Sequence, residues 1–449
     1  MASSRVPEDQ PFDHTAVARH ARTSSRSNLL EDSSDGVKDR AYDPTNVEAG
    51  YNNSHDYNLH DKPYSAAHEQ RYSDMDIIEP FSGRARSLNE KPNSSVARAL
   101  GFNPRSLSQQ IDDKKRGIGR QMKPYAVYLL STVMLGVFIY ELVLNAKNQG
   151  SPLSFKPVVN PMLGPSQSAL INAGARYPPC MTTVKDLPLD TQFPCLNNTA
   201  NPPNRLCSLE DVCGFGGFHE QTPNQWFRFI TPIFLHAGII HFLLNMFAQF
   251  TICAQIEREM GSAGFFIVYM AAGIFGNVLG GNFSLVGVPS VGASGAIFGT
   301  VAVTWVDLIA HWKYLYRPAR RLTWMIVELL IAFAIGYIPF VDNFAHIGGF
   351  LMGLLTGAAL YPIISPNHRH RIIVYVFRAA GLAAAIVLFV VLIRNFYTSD
   401  PYSACSWCRY LSCIPASYNN QCKGTGFSLT SSGGGSTTPS IGGSGTDNF

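Results

Sequence analysis

Apolar and polar positions divide the chain into two regimes. Residues 1–123 are rich in Ser, Asp, Asn, Arg and Lys and poor in apolar positions. Such a stretch buries too little surface to offset its ordering entropy, and reads as a disordered tail. From Pro124 onward, apolar runs of membrane-spanning length recur, at about 124–145, 233–256, 263–281, 290–310, 322–340, 343–363 and 372–396. Each is near the ~20 residues that a helix needs to cross a bilayer. The pattern predicts an all-α fold: a polytopic membrane bundle of seven transmembrane helices.

The same pattern sets the segments. A tail (1–123) precedes the first helix (124–145). A long loop (146–227) leads to the remaining six spans (228–396), and a second tail (397–449) follows. The opening "MASSRVPEDQPFDHT" has no apolar core and is not a secretory signal. Its early acids, Glu8, Asp9 and Asp13, are foreign to a mitochondrial presequence. The first span is therefore expected to act as the targeting signal. Residues 424–449 are Gly/Ser-rich and read as a flexible segment.

Charge adds the orientation. Lys114, Lys115, Arg116, Arg120 and Lys123 precede the first span. Lys313, Arg317, Arg320 and Arg321 follow the fourth, and "NHRHR" follows the sixth. All three groups fall on one side, which the positive-inside rule makes cytosolic, together with the N-terminus. The nine cysteines agree. Cys180, Cys195, Cys207 and Cys213 lie in the long loop, and Cys405, Cys408, Cys413 and Cys422 in the C-terminal tail, with only Cys253 in a span. Even clusters on the opposite side suit disulfides in an oxidising compartment, with connectivity left open. Zinc is the competing reading of Cys405-x-x-Cys408, disfavoured by the lack of a nearby histidine. Sequons at Asn197 and Asn282 lie on the same side, Asn282 close to the membrane. Those at Asn52 and Asn93 would be cytosolic. The expectation is a multi-pass protein of the secretory pathway, in Golgi, other endomembranes or the plasma membrane. Its partners would be membrane lipids and no nucleic acid. No metal or nucleotide motif is present, and no cofactor is expected.

Polar groups inside spans are costly and are candidates for function. Span two opens "FLHAGIIHFLLNM", with His236, His241 and Asn245; His241 and Asn245, four apart, share a helix face. Span four opens "VGASGAIFG", placing Ser294 about one turn inside. Span six opens "DNFAHIGGFLMG", placing His346 at a similar depth. Even-numbered spans enter from the same side, so at ~1.5 Å rise per residue Ser294, His241 and His346 form one shallow layer, with Asn245 one turn deeper. Each has a packing alternative: a serine among glycines allows close helix contact, as do Gly348, Gly349 and Gly353. Together they fit acyl chemistry. A serine hydroxyl needs a base, histidine suits neutral pH, and His241 and Asn245 beside the Ser294 N–H can face a developing oxyanion. Gly292 and Gly295 leave room for a peptide backbone. Asp342, four residues before His346, is positioned in sequence to orient it.

Three stretches, "GASGAIFG", "HFLLN" and "AHIGGFLMG", resemble the GxSG, HxxxN and AHxxGxxxG motifs of the rhomboid intramembrane serine proteases, in the family's order. "QWFRFITPIFLHAG", with Trp226 and Arg228, and "IEREMG" resemble further family segments. The likeness covers about 225–365, and the six-plus-one layout looks like the eukaryotic secretory-pathway group. It implies Ser294 as nucleophile and His346 as base of a dyad. It also implies an oxyanion hole of His241, Asn245 and the Ser294 amide, with His236 in a supporting role. The implied substrates are transmembrane segments of single-pass membrane proteins, cut near the lumenal or extracellular face. Two departures stand out: Phe298 where tyrosine is frequent, and Val341 where glycine is frequent. The alternatives are a catalytically weak rhomboid-like protein that binds and escorts membrane clients, and a seven-span receptor or carrier.

Overall fold

The computed structural model describes residues 106–185, 187–219, 221–337, 341–399, 405 and 407–411, with the backbone of 427–432 and 436–441. Sequons Asn52 and Asn93, and cysteines Cys413 and Cys422, lie outside the described residues.

Helices dominate. A short helix α1 (Leu107–Lys115) is followed by α2 (Tyr125–Gln149), and small helices α3 (Gln167–Ala173) and α4 (Leu209–Cys213) sit in the long loop. Then come α5 (Ile239–Met260), α6 (Ser262–Phe283), α7 (Ser294–Ala310), α8 (Pro318–Ile335), α9 (Asn343–Leu360) and α10 (His368–Thr398). Among the described residues five helices, α2, α5, α6, α9 and α10, are long and apolar enough to cross a membrane. Helix α7 is a shorter apolar helix, and α8 carries Arg320 and Arg321 in its first turn. Helix α5 contains a π turn over Gln249–Cys253, where Tyr269 donates to Gln249 at 3.1 Å.

The centre of the bundle is α6, α7 and α9, and glycine sets their spacing. A methyl on Gly349 would run into the Gly295 carbonyl, and one on Gly353 into the Gly299 carbonyl. The backbones of α7 and α9 therefore touch, as small-residue membrane interfaces allow. Helix α8 lies at the rim and buries only Met325 fully.

Two local expectations change. Helix α1 forms inside the tail read as unfolded, because Ser106 and Gln109 make a reciprocal capping box at its start. Its Lys114 also pairs with buried Asp307 at 2.6 Å and half-buried Glu259 at 3.0 Å. In the C-terminal tail, Phe427–Ser432 and Ser436–Ile441 pair as an antiparallel hairpin. Asn282, a sequon asparagine, is fully buried; its amide donates to the Val278 and Leu392 carbonyls while Asn395 donates to it, which ties α10 to α6.

The long loop folds on itself. Ile171, Tyr177, Phe193, Leu209, Val212 and Phe218 form a core closed by disulfides Cys180–Cys213 and Cys195–Cys207. A two-stranded antiparallel ribbon, Gln192–Pro194 with Leu206–Ser208, carries the second bridge. Buried Arg228 pins the loop to the bundle by donating to the carbonyls of Ile171 (2.8 Å), Ala175 (2.7 Å) and Cys213 (2.5 Å) and to the Gln225 side chain (2.7 Å). Cys405 and Cys408 form a third disulfide, and Cys253 is a buried free thiol.

Candidate active site

The starts of α5, α7 and α9 supply the site. Before α7, Gly292 adopts φ +129°, a conformation that disfavours any side chain, and its N–H donates to the Pro232 carbonyl at 2.8 Å. That kink delays the helix. The spacing places Ser294 one turn inside span four; Ser294 is instead the first residue of α7. The first intrahelical bond is Ile297 N–H to the Ala293 carbonyl at 3.0 Å. The N–H groups of Ser294, Gly295 and Ala296 therefore have no helical acceptor, as at any helix start.

His346 sits in the first turn of α9, and its Nε2 lies 2.9 Å from Ser294 Oγ. Phe298, one turn after Ser294, stacks on the imidazole with centroids 4.1 Å apart and planes 12° apart. The ring that replaces tyrosine thus still fixes the plane of His346. His346 is 3% exposed, and its Nδ1 meets no protein acceptor. The 2.9 Å separation lets Nε2, in the tautomer protonated at Nδ1, accept the hydroxyl proton.

Asp342 does not reach the ring. It caps α9 by accepting from Phe344 N–H (2.9 Å), accepts from Ser284 Oγ (2.7 Å) and pairs with Arg176 (2.5 Å). Burial alone would raise its pKa; Arg176 and these donors outweigh it and hold the carboxyl below the ordinary value. The close side-chain contact is therefore between Ser294 and His346 alone.

His241 and Asn245 lie on one face of α5. Asn245 donates to the His241 carbonyl at 2.9 Å, and His241 Nδ1 accepts from Ala237 N–H at 3.3 Å. An accepting Nδ1 leaves the proton on Nε2, which can donate. The His241 ring lies so near Gly292 that a methyl there would be 2.7 Å from Cε1 and 3.0 Å from Nε2. Gly292 thus both permits the kink and makes room for the ring. His236 precedes α5 in an extended segment, contrary to its expected place inside the span. Its ring packs edge-on to Phe138, Phe242 and His241.

Two residues beside the site were missed from sequence. Glu141 of α2, 1% exposed, accepts from His236 N–H at 3.2 Å through both oxygens. An acid within an otherwise uncharged span was a legible signal. Arg176, in the loop, had no signal in hydropathy or spacing.

The site is thus a half-buried hydroxyl beside a buried imidazole within a membrane-type helix bundle, with donors from a helix start and a second histidine beside it. Residues 223–363 match the Rhomboid domain family. Rhomboid-type serine protease 2 of Emericella nidulans is 35% identical over 368 residues, covering 67% of this chain and 72% of that protein. Inactive rhomboid protein 1 of Danio rerio and of Homo sapiens are 36% and 35% identical over 221 residues, covering 47% of this chain. The chain spans only 25% of the length of those inactive relatives. The chain belongs to the rhomboid family, and it is an integral membrane protein.

Proposed function

We propose that this chain is an intramembrane serine endopeptidase. The observation that carries the reading is the 2.9 Å approach of Ser294 Oγ to His346 Nε2, with the ring held by Phe298. Ser294 Oγ attacks the peptide carbonyl carbon as His346 Nε2 takes its proton. The carbonyl oxygen becomes an oxyanion facing the Ser294 N–H, with His241 Nε2–H and the Asn245 amide beside it. The C–N bond then breaks, the amine leaves with the proton from His346, and an acyl-serine remains. Water, deprotonated by the same imidazole, releases the acid and restores the hydroxyl.

The substrates are transmembrane segments of single-pass membrane proteins, cut near the lumenal or extracellular face, in secretory-pathway membranes with the N-terminus cytosolic. The disulfides of the loop and tail support that side as the oxidising one. A second reading, an inactive escort of membrane clients, is favoured by the likeness to the inactive relatives.

Cells expressing tagged single-pass membrane proteins, with either the intact protein or Ser294→Ala, separate the two readings. Release of an outward fragment that the substitution abolishes is the expected result. Equal fragment patterns, with client binding retained in both, would favour the escort.

A further inference from the structure

We propose that Arg176 of the long loop is a positioning residue that sets the Ser294 and His346 helix starts in register with each other. The proposal rests on the protease reading above.

Arg176 is 1% exposed, so its charge must be paired to be tolerated. Its backbone makes a two-way bridge with Ser290: Arg176 N–H donates to the Ser290 carbonyl and Ser290 N–H returns the bond, each at 3.0 Å. Its guanidinium reaches Asp342 at 2.5 Å. Ser290 is four residues before Ser294, and Asp342 is four residues before His346. One loop residue therefore grips both approaches to the dyad, the first through its backbone and the second through its side chain.

The grip is rigid at both ends. After Ser290 the chain is pinned again where Gly292 donates to Pro232, leaving little slack before Ser294. Asp342 is the N-cap of α9 and is also held by Ser284. Arg228 clamps the neighbouring Ala175 carbonyl, so Arg176 itself cannot drift. Helix α6 makes space for the ion pair at Gly280, where a methyl would strike both the guanidinium and the carboxylate. The dyad needs a hydrogen bond between side chains of two different helices, and a 1 Å slip of either helix would break it. Residues 175–177 are well placed to prevent that slip, although Arg176 touches neither reacting atom.

The test uses the full chain in proteoliposomes with a cleavable transmembrane reporter. Two readouts are taken: kcat and KM, and amide hydrogen exchange at residues 292–298 and 344–347. Arg176→Gln and Asp342→Asn should each lower kcat about 10- to 100-fold with KM within about twofold, and the double variant should be no worse than the poorer single one. Exchange should quicken at both helix starts in both single variants. Arg176→Lys should keep an intermediate rate, and Gly280→Ala, which leaves every charge in place, should reproduce the kcat loss. Exposed Arg205→Gln should leave both readouts unchanged.

Unchanged exchange at either helix start in Arg176→Gln, or losses that simply add in the double variant, would overturn the proposal. A wild-type chain that cleaves nothing, yet shows the exchange pattern, would overturn the protease reading and leave the register role standing.

Discussion

Helix α7 carries Ser294 at its first residue and Asp307 near its last, and both draw polar partners from neighbouring segments. At the Asp307 end, Lys114 of α1 meets Asp307 at 2.6 Å, Glu259 at 3.0 Å and the Tyr361 hydroxyl at 3.1 Å. Tyr361 donates to Asp307 and bonds Glu259; His311 binds Asp307 at 2.8 Å through Nδ1 and Ile364 N–H at 3.0 Å through Nε2. Both carboxylates there have a cationic or hydroxyl partner, and the imidazole is used at both nitrogens. At the Ser294 end, His346 Nδ1 and both ring nitrogens of His236 meet no protein partner, and the first N–H groups of α7 have no helical acceptor. A saturated buried network specifies and stabilises a fold. A buried set that keeps donors and acceptors in reserve has capacity left for a reacting carbonyl. Similar residue types are thus paired to saturation at one end of α7 and left with unpaired groups at the other.

Substitutions should separate the ends in the same way, most strongly at the dyad. Ser294→Ala and His346→Ala should each reduce reporter cleavage by roughly 10⁴-fold or more, since members of such a unit fail together. Thermal unfolding in detergent should move little for Ser294→Ala. Next in size, His241→Ala should cost about 10²–10³ in kcat, the usual loss for an oxyanion donor, measurable by steady-state kinetics. At the opposite end, Lys114→Met should destabilise the fold by about 3 kcal/mol, because it leaves two acids short of their cation. Residual activity per folded molecule should then stay near that of the parent. Equal loss of activity and stability there would erase the distinction between the ends. A smaller effect concerns pH. Asp342 is held below its ordinary pKa, so the Arg176–Asp342 contribution is complete above pH ~4 and is lost only as pH falls through the lowered value. Unfolding followed from pH 7 to pH 3 should show that loss in the parent and not in Asp342→Asn.

Much of this was legible because a bilayer imposes simple rules. Helix length and the apolar run had to agree, so the long helices fall where hydropathy put them, within a few residues. Ser294, His346, His241 and Asn245 were readable because polar groups in apolar runs stand out. The details that escaped depend on backbone shape and long-range pairing. The φ of Gly292 moves the start of α7 to Ser294, and no periodicity encodes it. His236 falls before α5 because the chain stays extended until Gly238, although its apolar neighbours read as span. Lys114 looked like one more cytosolic-side cation; its acids lie far along the chain, at Glu259 and Asp307. Arg176 was invisible for the same reason, since its partners are Ser290 and Asp342.

The most direct test of the central claim is covalent. The purified chain in proteoliposomes would be treated with a fluorophosphonate, and the adduct mapped by peptide mass spectrometry in the parent, His346→Ala and Lys114→Met. The account predicts one adduct, on Ser294, lost in His346→Ala and kept in folded Lys114→Met. No adduct on Ser294 in the parent, or equal labelling without His346, would contradict it.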